Sequence, residues 1–231
     1  VATLDLSATQ KSKIQNITAA VGGGQTVAIS GSVSLNHIGK YGDSGNPDED
    51  GNVTTARIAN SAITNGATVA TVKATDTSSI ESLAGAVSIS IGSTAVGAAV
   101  ADNAIRNVAK ATVSDTAVVG ATGLTVEATN GSTIDSLSIA GAGGASGAAA
   151  GSASSNRTGN RTIGEIKDSA MTGSAASVRV AALDTAAIRS LAGAIGIGGS
   201  AGFGAAVAVN KINNTTDAHV SGTRALTAGY A

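Results

Sequence analysis

The sequence predicts an all-β protein of elongated repeat architecture, a β-solenoid-like stack of units of about 54 residues. Three observations carry this: a recurrence at fixed spacing, an alternation of period two inside each unit, and a composition of small apolar side chains. Apolar residues make up 42% of the 231, but they are mostly Ala, Val and Ile, and the only aromatics are Tyr41, Phe203 and Tyr230. A core of such side chains must bring backbones close together, which suits stacked sheets. The chain has 31 Gly but a single Pro, Pro47, so the glycines do not read as a disordered linker.

The units follow in order. Residues 1–13 are a partial unit, because Leu4-Asp-Leu-Ser-Ala stands ten residues before Ile14 just as Leu124-Thr-Val-Glu-Ala stands ten before Ile134. Unit 14–79 opens with Ile14-Gln-Asn-Ile-Thr-Ala-Ala-Val, and unit 80–133 with Ile80-Glu-Ser-Leu-Ala-Gly-Ala-Val. Unit 134–187 opens with Ile134-Asp-Ser-Leu-Ser-Ile-Ala-Gly and is degenerate, fading to Ala, Gly and Ser over 140–155. Residues 188–231 are again partial, beginning Ile188-Arg-Ser-Leu-Ala-Gly-Ala-Ile. The openings are 66, 54 and 54 residues apart, and the surplus of 12 in the first interval falls at Lys40 to Gly51. An array that starts and stops inside a unit reads as a piece of a longer one.

Within a unit the alternation is that of strands. Leu124, Val126 and Ala128 share one face, with Thr125 and Glu127 on the other. At Ala218-His-Val the apolar pair faces in, and the outward position reads Arg57, Thr112, Glu165 and His219 across the units. This is a sheet with one wet face. In mid-unit, Leu191-Ala-Gly-Ala-Ile-Gly-Ile sets aliphatics on one parity and Ala or Gly on the other, so both faces are expected to be buried. Each unit is then expected to supply two or three coils. The alternative is a meander of long antiparallel β-hairpins, bent near Gly123 and Gly199. Asn recurs at 36, 103, 156 and 210, and again at 52, 107, 160 and 214. Asn tolerates left-handed corners and forms amide ladders when stacked, which favours the solenoid.

Chemistry-bearing motifs are few. The net charge of −1 and the lack of a basic run argue against nucleic-acid binding, and zero Cys excludes disulfides and thiolate metal sites. Residues 1–20 lack the cationic start and apolar core of a signal peptide. Gly198-Gly-Ser200-Ala-Gly202 spells a hydrolase nucleophile elbow, followed by Asp217 and His219, but no helical period accompanies it. His37 and His219 stand without a second ligand at metal spacing. No enzyme activity and no organic cofactor are expected. The insertion holds the one acidic cluster. Asp43, Asp48 and Asp50, followed by Gly51, are the candidate Ca²⁺ ligands, although the ligand series of an EF-hand is missing. Stretches 190–210 and 82–101 carry no charge and reach membrane-spanning length, but their glycines and alternation favour buried sheet over membrane insertion.

The unit pattern runs Ile-x-Ser-Leu-Ala-Gly-Ala, then Gly-Ala-Ala-Val-Ala-Val-Asn-x-Ile-x-Asn, then Ala-x-Val-Ser and Val-x-Ala. It resembles the repeat regions of giant secreted bacterial exoproteins, the filamentous-haemagglutinin and leukotoxin-like adhesins. The stretch 188–222 carries it best. The resemblance implies an extracellular or cell-surface location. It also implies a structural or adhesive role as a rod or filament segment, as in a biofilm matrix, and it transfers no catalytic residue. The alternative is a fragment of a leukotoxin-like protein acting on host membranes. Unblocked strand edges lead us to expect end-to-end self-association. Host or matrix glycans, met through Asn and Thr ladders, are the other candidate partners.

Overall fold

In a computed structural model the described residues are 2–39, 51–64, 67–172 and 177–222. They form four coils of a parallel β-solenoid. The first coil contains β1 (Ala2–Gln10), β2 (Lys13–Gly24), β3 (Val27–Ile38), β4 (Asn52–Ala59) and β5 (Ala62–Thr64). The second contains β6 (Ala67–Asp76), β7 (Ser79–Ser90), β8 (Thr94–Ile105), β9 (Asn107–Ser114) and β10 (Ala117–Val119). The third contains β11 (Gly123–Asn130), β12 (Thr133–Gly144), β13 (Gly147–Thr158), β14 (Arg161–Lys167) and β15 (Ala170–Thr172). The fourth contains β16 (Ser177–Asp184), β17 (Ala187–Gly198), β18 (Ala201–Ile212) and β19 (Thr215–Ser221).

Equivalent strands stack into five parallel sheets. Sheet A is β1-β6-β11-β16, B is β2-β7-β12-β17, C is β3-β8-β13-β18, D is β4-β9-β14-β19, and E is β5-β10-β15. Ile14 pairs with Ile80, Ile80 with Ile134, and Ile134 with Ile188, so one unit of the sequence is one coil. This corrects the expectation of two or three coils per unit. The 12-residue strands of sheets B and C use up the length that would otherwise make a second turn. Parallel pairing also sets aside the antiparallel meander. Each coil adds about 4.8 Å along the axis, whereas a 12-residue strand runs about 40 Å across it.

The cross-section has two parts. Sheets A, D and E enclose a trunk whose core is branched and bulky, including Val72, Val113, Val118, Leu124, Val126, Ile166 and Met171. Sheets B and C lie face to face as a thin, flat fin whose inner surface is made of small residues, Ala such as Ala84, Ala99, Ala140 and Ala150 alternating with Ser such as Ser32, Ser88, Ser138 and Ser152. Ile38, Ile80, Ile105 and Ile134 plug the junction between the two. The fin is thin because nothing larger fits inside it. A Cβ placed on Gly22 would stand 2.6 Å from the carbonyl oxygen of Ile29, and one on Gly97 would run into that of Gly141. Loss of side-chain volume on the inner parity lets the two backbones approach.

The fin overturns a second expectation. The inner parity is buried, but the aliphatic parity points outward on both sides. Ile17, Val21, Ile29, Leu35, Leu191 and Ile197 are 64–84% exposed. The rule that large apolar side chains face inward fails here because the interior is one Ala layer deep.

The left-handed corners also fall elsewhere than expected. Asn60, Asp115 and Asp168 have φ of 49°, 48° and 47°, and Gly222 takes 62° at the equivalent place in the fourth coil. The first three stand between sheets D and E, and Gly222 follows the sheet D strand β19. The Asn columns singled out by the repeat take no positive φ and serve as ladders instead.

Candidate functional site

Two buried polar columns run up the junction of fin and trunk. In the first, Asn36 Nδ2 donates to Asn103 Oδ1 at 2.8 Å, Asn103 to Asn156 at 2.8 Å, and Asn156 to Asn210 at 2.9 Å. Serines complete it: Asn103 also donates to Ser136 Oγ at 3.0 Å, and Asn156 to Ser154 Oγ at 3.0 Å. In the second, Asn107, Asn160 and Asn214 donate across the coil to Asp76, Asn130 and Asp184 at 2.9, 3.0 and 2.9 Å. An amide has one donor group and one acceptor per side, so identical residues stacked one coil apart satisfy each other along the axis. The expected amide ladders therefore exist. Inside the stack they are buried, with Asn103 and Asn107 at 0% exposure, and they hold the coils in register. Outward threonines lie on sheet A instead, where Thr9, Thr75 and Thr129 stack.

Asp76 is the outlier of the second column. Burial pushes its carboxyl up, against the hydrogen bonds from Ser78 and Asn107 that favour the charged form. Its Oδ2 is buried without a hydrogen bond.

Asp76 and Asp184 apart, the described charges stand on the outer surface, and in the fin region they are confined to its base. Residues 16–36, 82–101, 136–156 and 190–210, which make up the fin above its base in each coil, contain no ionisable side chain. At the base Lys13 bridges Glu81 at 2.7 Å and Arg189 bridges Asp135 at 3.4 Å on sheet B. On sheet C, Asp102 meets His37 at 3.1 Å and Arg157 at 3.2 Å. Burial, the largest single influence, pushes the Asp102 carboxyl up. Hydrogen bonds from His37 and Ser155 and the charge of Arg157 outweigh it and hold the group below the usual carboxylate range. On the trunk, the hydrogen bond from Lys73 does the same for Glu127, with Arg179 assisting.

The sequence candidates for chemistry are dispersed. Gly198 to Gly202 form the turn at the fin tip, while Asp217 and His219 sit on β19 in the trunk, at the other end of the long β18. His219 Nδ1 lies 3.2 Å from Asp217 and its Nε2 lies 3.5 Å from Glu165, in an exposed ladder remote from Ser200 in the fold. His37 faces outward on sheet C beside Asp102. Asp43, Asp48 and Asp50 lie outside the described residues. Among the described residues no three His, Asp or Glu side chains are grouped to hold a metal.

One shallow groove of about 560 Å³ crosses sheet B just above the base. Its walls are the row Gln15, Glu81, Asp135 and Arg189 and the row Ile17, Leu83, Leu137 and Leu191. The outward aliphatic columns are the feature that sequence reasoning missed. The signal was present as strict big–small alternation, but that pattern reads the same whichever parity faces in. No family model matches the chain, and neither a curated protein nor a solved structure matches it.

Proposed function

We propose that the chain is a structural or adhesive segment of a secreted bacterial surface or matrix protein, in which coils stacked in constant register build a rod. The observation that supports this is the identity of unit and coil. Every unit repeats the same five-sheet cross-section, apart from a strand of sheet E that the fourth coil's described residues lack, and each coil presents its neighbour with matching strand edges and amide columns. The outer edges of the first and fourth coils accept a further coil of the same kind or a second copy, end to end. Electron microscopy of the purified chain and of the native material tests this. Stacks of one uniform cross-section are expected. Compact, single particles at high concentration, confirmed by sedimentation, would remove the filament.

A second reading rests on the uncharged fin, whose apolar faces suit a lipid environment as well as a protein one. It makes the chain a fragment of a secreted toxin acting on host membranes. Leakage of a trapped dye from liposomes separates the two: the rod reading expects none.

A further inference from the structure

The geometry points to a directional joint between two copies of this chain, the fourth coil of one carrying the first coil of the next in the register that already joins coil to coil. This rests on the rod reading above and adds to it a polarity and a residue-by-residue register.

The fourth coil leaves apolar surface uncovered along the axis. Ile212 is 55% exposed, whereas Ile105 and Ile38 in the same column are 0% and 4% exposed. The 12-residue edges of β17 and β18 contain no Pro and one charge each, Arg189 and Lys211 at the base, so little blunts them.

The first coil continues the columns that end there. Ile38 of the next copy meets Ile212, and Ile14 meets Ile188. On the fin, Leu191 meets Ile17, Ile195 meets Val21, Phe203 meets Ile29 and Val207 meets Val33. Ile197 meets Gly23, in a column that already alternates Gly and Ile. The charged columns fit as well. Arg179 meets Asp5, opposite in sign, Arg189 meets Gln15, and Asp217 meets Thr55. Lys211 meets His37 and His219 meets Arg57, and each His has a carboxylate beside it in its own copy. Among the described residues no carboxylate meets a carboxylate, and no Lys or Arg meets another.

Direction comes from the amide columns. In the first, each Asn donates to the Asn of the following coil, so Asn210 Nδ2 is the donor that reaches Asn36 Oδ1 of the next copy. That oxygen accepts Asn16 within its own coil and has a second lone pair. In the second, the backbone N–H of each Asn donates to the side-chain oxygen of the following one, so Asn214 N meets Asn52 Oδ1. Asp184 Oδ2, buried without a hydrogen bond, meets the Gln10 amide. Two fourth coils joined by a two-fold axis would instead turn sheet B onto sheet C. Because Asn16 stands opposite Asn36, that sets Arg189 against Lys211 on both sides of the fin. The joint is therefore heterologous and open-ended.

Cysteine pairs read the register, since the chain has no Cys of its own. Neighbouring strands about 4.8 Å apart suit a disulfide. Under mild oxidation, Asp5→Cys with Arg179→Cys in one chain should give a ladder of oligomers on non-reducing gels. Each single variant alone should give no cross-link, and an equimolar mixture of the two should stop at covalent dimers. His37→Lys with His219→Lys sets cation against cation across the joint while keeping a carboxylate partner within the chain. Circular dichroism should be unchanged, and sedimentation should show association weakened at least about threefold. Association that is not weakened would overturn the register. Covalent dimers from either single variant alone would show a like-on-like joint, and the proposal falls. It also falls if no cross-link forms and the purified chain stays monomeric at high concentration. Rods of the same cross-section in native material would then leave the rod reading intact, and their absence would remove both.

Discussion

At the scale of single residues, the polar columns decide more than the core does. Asp76 occupies the place that Asn130 fills one coil on, and Asn130 receives the same kind of hydrogen bonds without a charge: Ser132 N donates to it at 3.1 Å and Asn160 at 3.0 Å. Because burial raises the Asp76 carboxyl above its unfolded value, its proton is held more tightly in the folded state. Stability is thus lost as pH rises through the aspartate range and stays lower at neutral pH. Asp76→Asn should raise the Tm at pH 7, with the gain over wild type shrinking as pH falls toward the ordinary aspartate value, as read by thermal melts across pH. Asn103→Ala has the opposite sign. It takes from Asn36 one of its acceptors, leaving only the Ser34 and Ser82 hydroxyls, and leaves Asn156 Oδ1 without its donor in a dry junction, at a cost of about 2 kcal/mol in chemical denaturation.

At the scale of elements, the fin is governed by how closely two backbones approach. Gly97→Ala should cost about 2 kcal/mol, because its Cβ meets the Gly141 carbonyl of the facing sheet. Gly193→Ala, on the outer parity with open space around it, should be neutral or slightly stabilising. Equal loss in both would show that the glycines matter for strand propensity and not for fin thickness. The strands themselves were legible. Arg57, Thr112, Glu165 and His219 stack on one face of sheet D, as their varied polarity at a fixed place foretold, although Thr112 is buried within the row. What could not be read was which parity of Leu191-Ala-Gly-Ala-Ile faces inward. Size alternation has no sign until the distance to the opposite sheet is known, and that distance is a tertiary fact. The coil count per unit was hidden for the same reason, since a strand's pattern does not report when the chain turns back. The ladders were legible as recurring Asn. Their burial was not, because an amide column looks alike on a surface and in a junction.

At the scale of the whole molecule, the register makes a strong demand on length. Deleting residues 80–133 joins Ser79 to Ile134, and both neighbours already pair with equivalent residues of the removed coil. The three-coil product should fold with the same β spectrum and a lower Tm, since stability adds coil by coil. A deletion of 80–120 should not fold, and circular dichroism with a denaturant melt distinguishes the two. The 12 extra residues of the first unit do not break this rule. They enter between β3 and β4, where Gly39 and Gly51 take φ of 85° and 120° and the chain can leave the ladder and rejoin it.

The asparagine column has a consequence for heredity. A gene for such a chain can lengthen or shorten its product only in whole steps of 54 codons, each worth about 4.8 Å of reach. An unequal crossover that respects the step passes every amide to an identical partner. One that misses it by a single codon turns the aliphatic parity into a space one alanine deep. Variation in size is therefore cheap for this lineage and variation in phase is lethal to the fold, with the corner after β3 left as the place where other lengths of sequence can be tried.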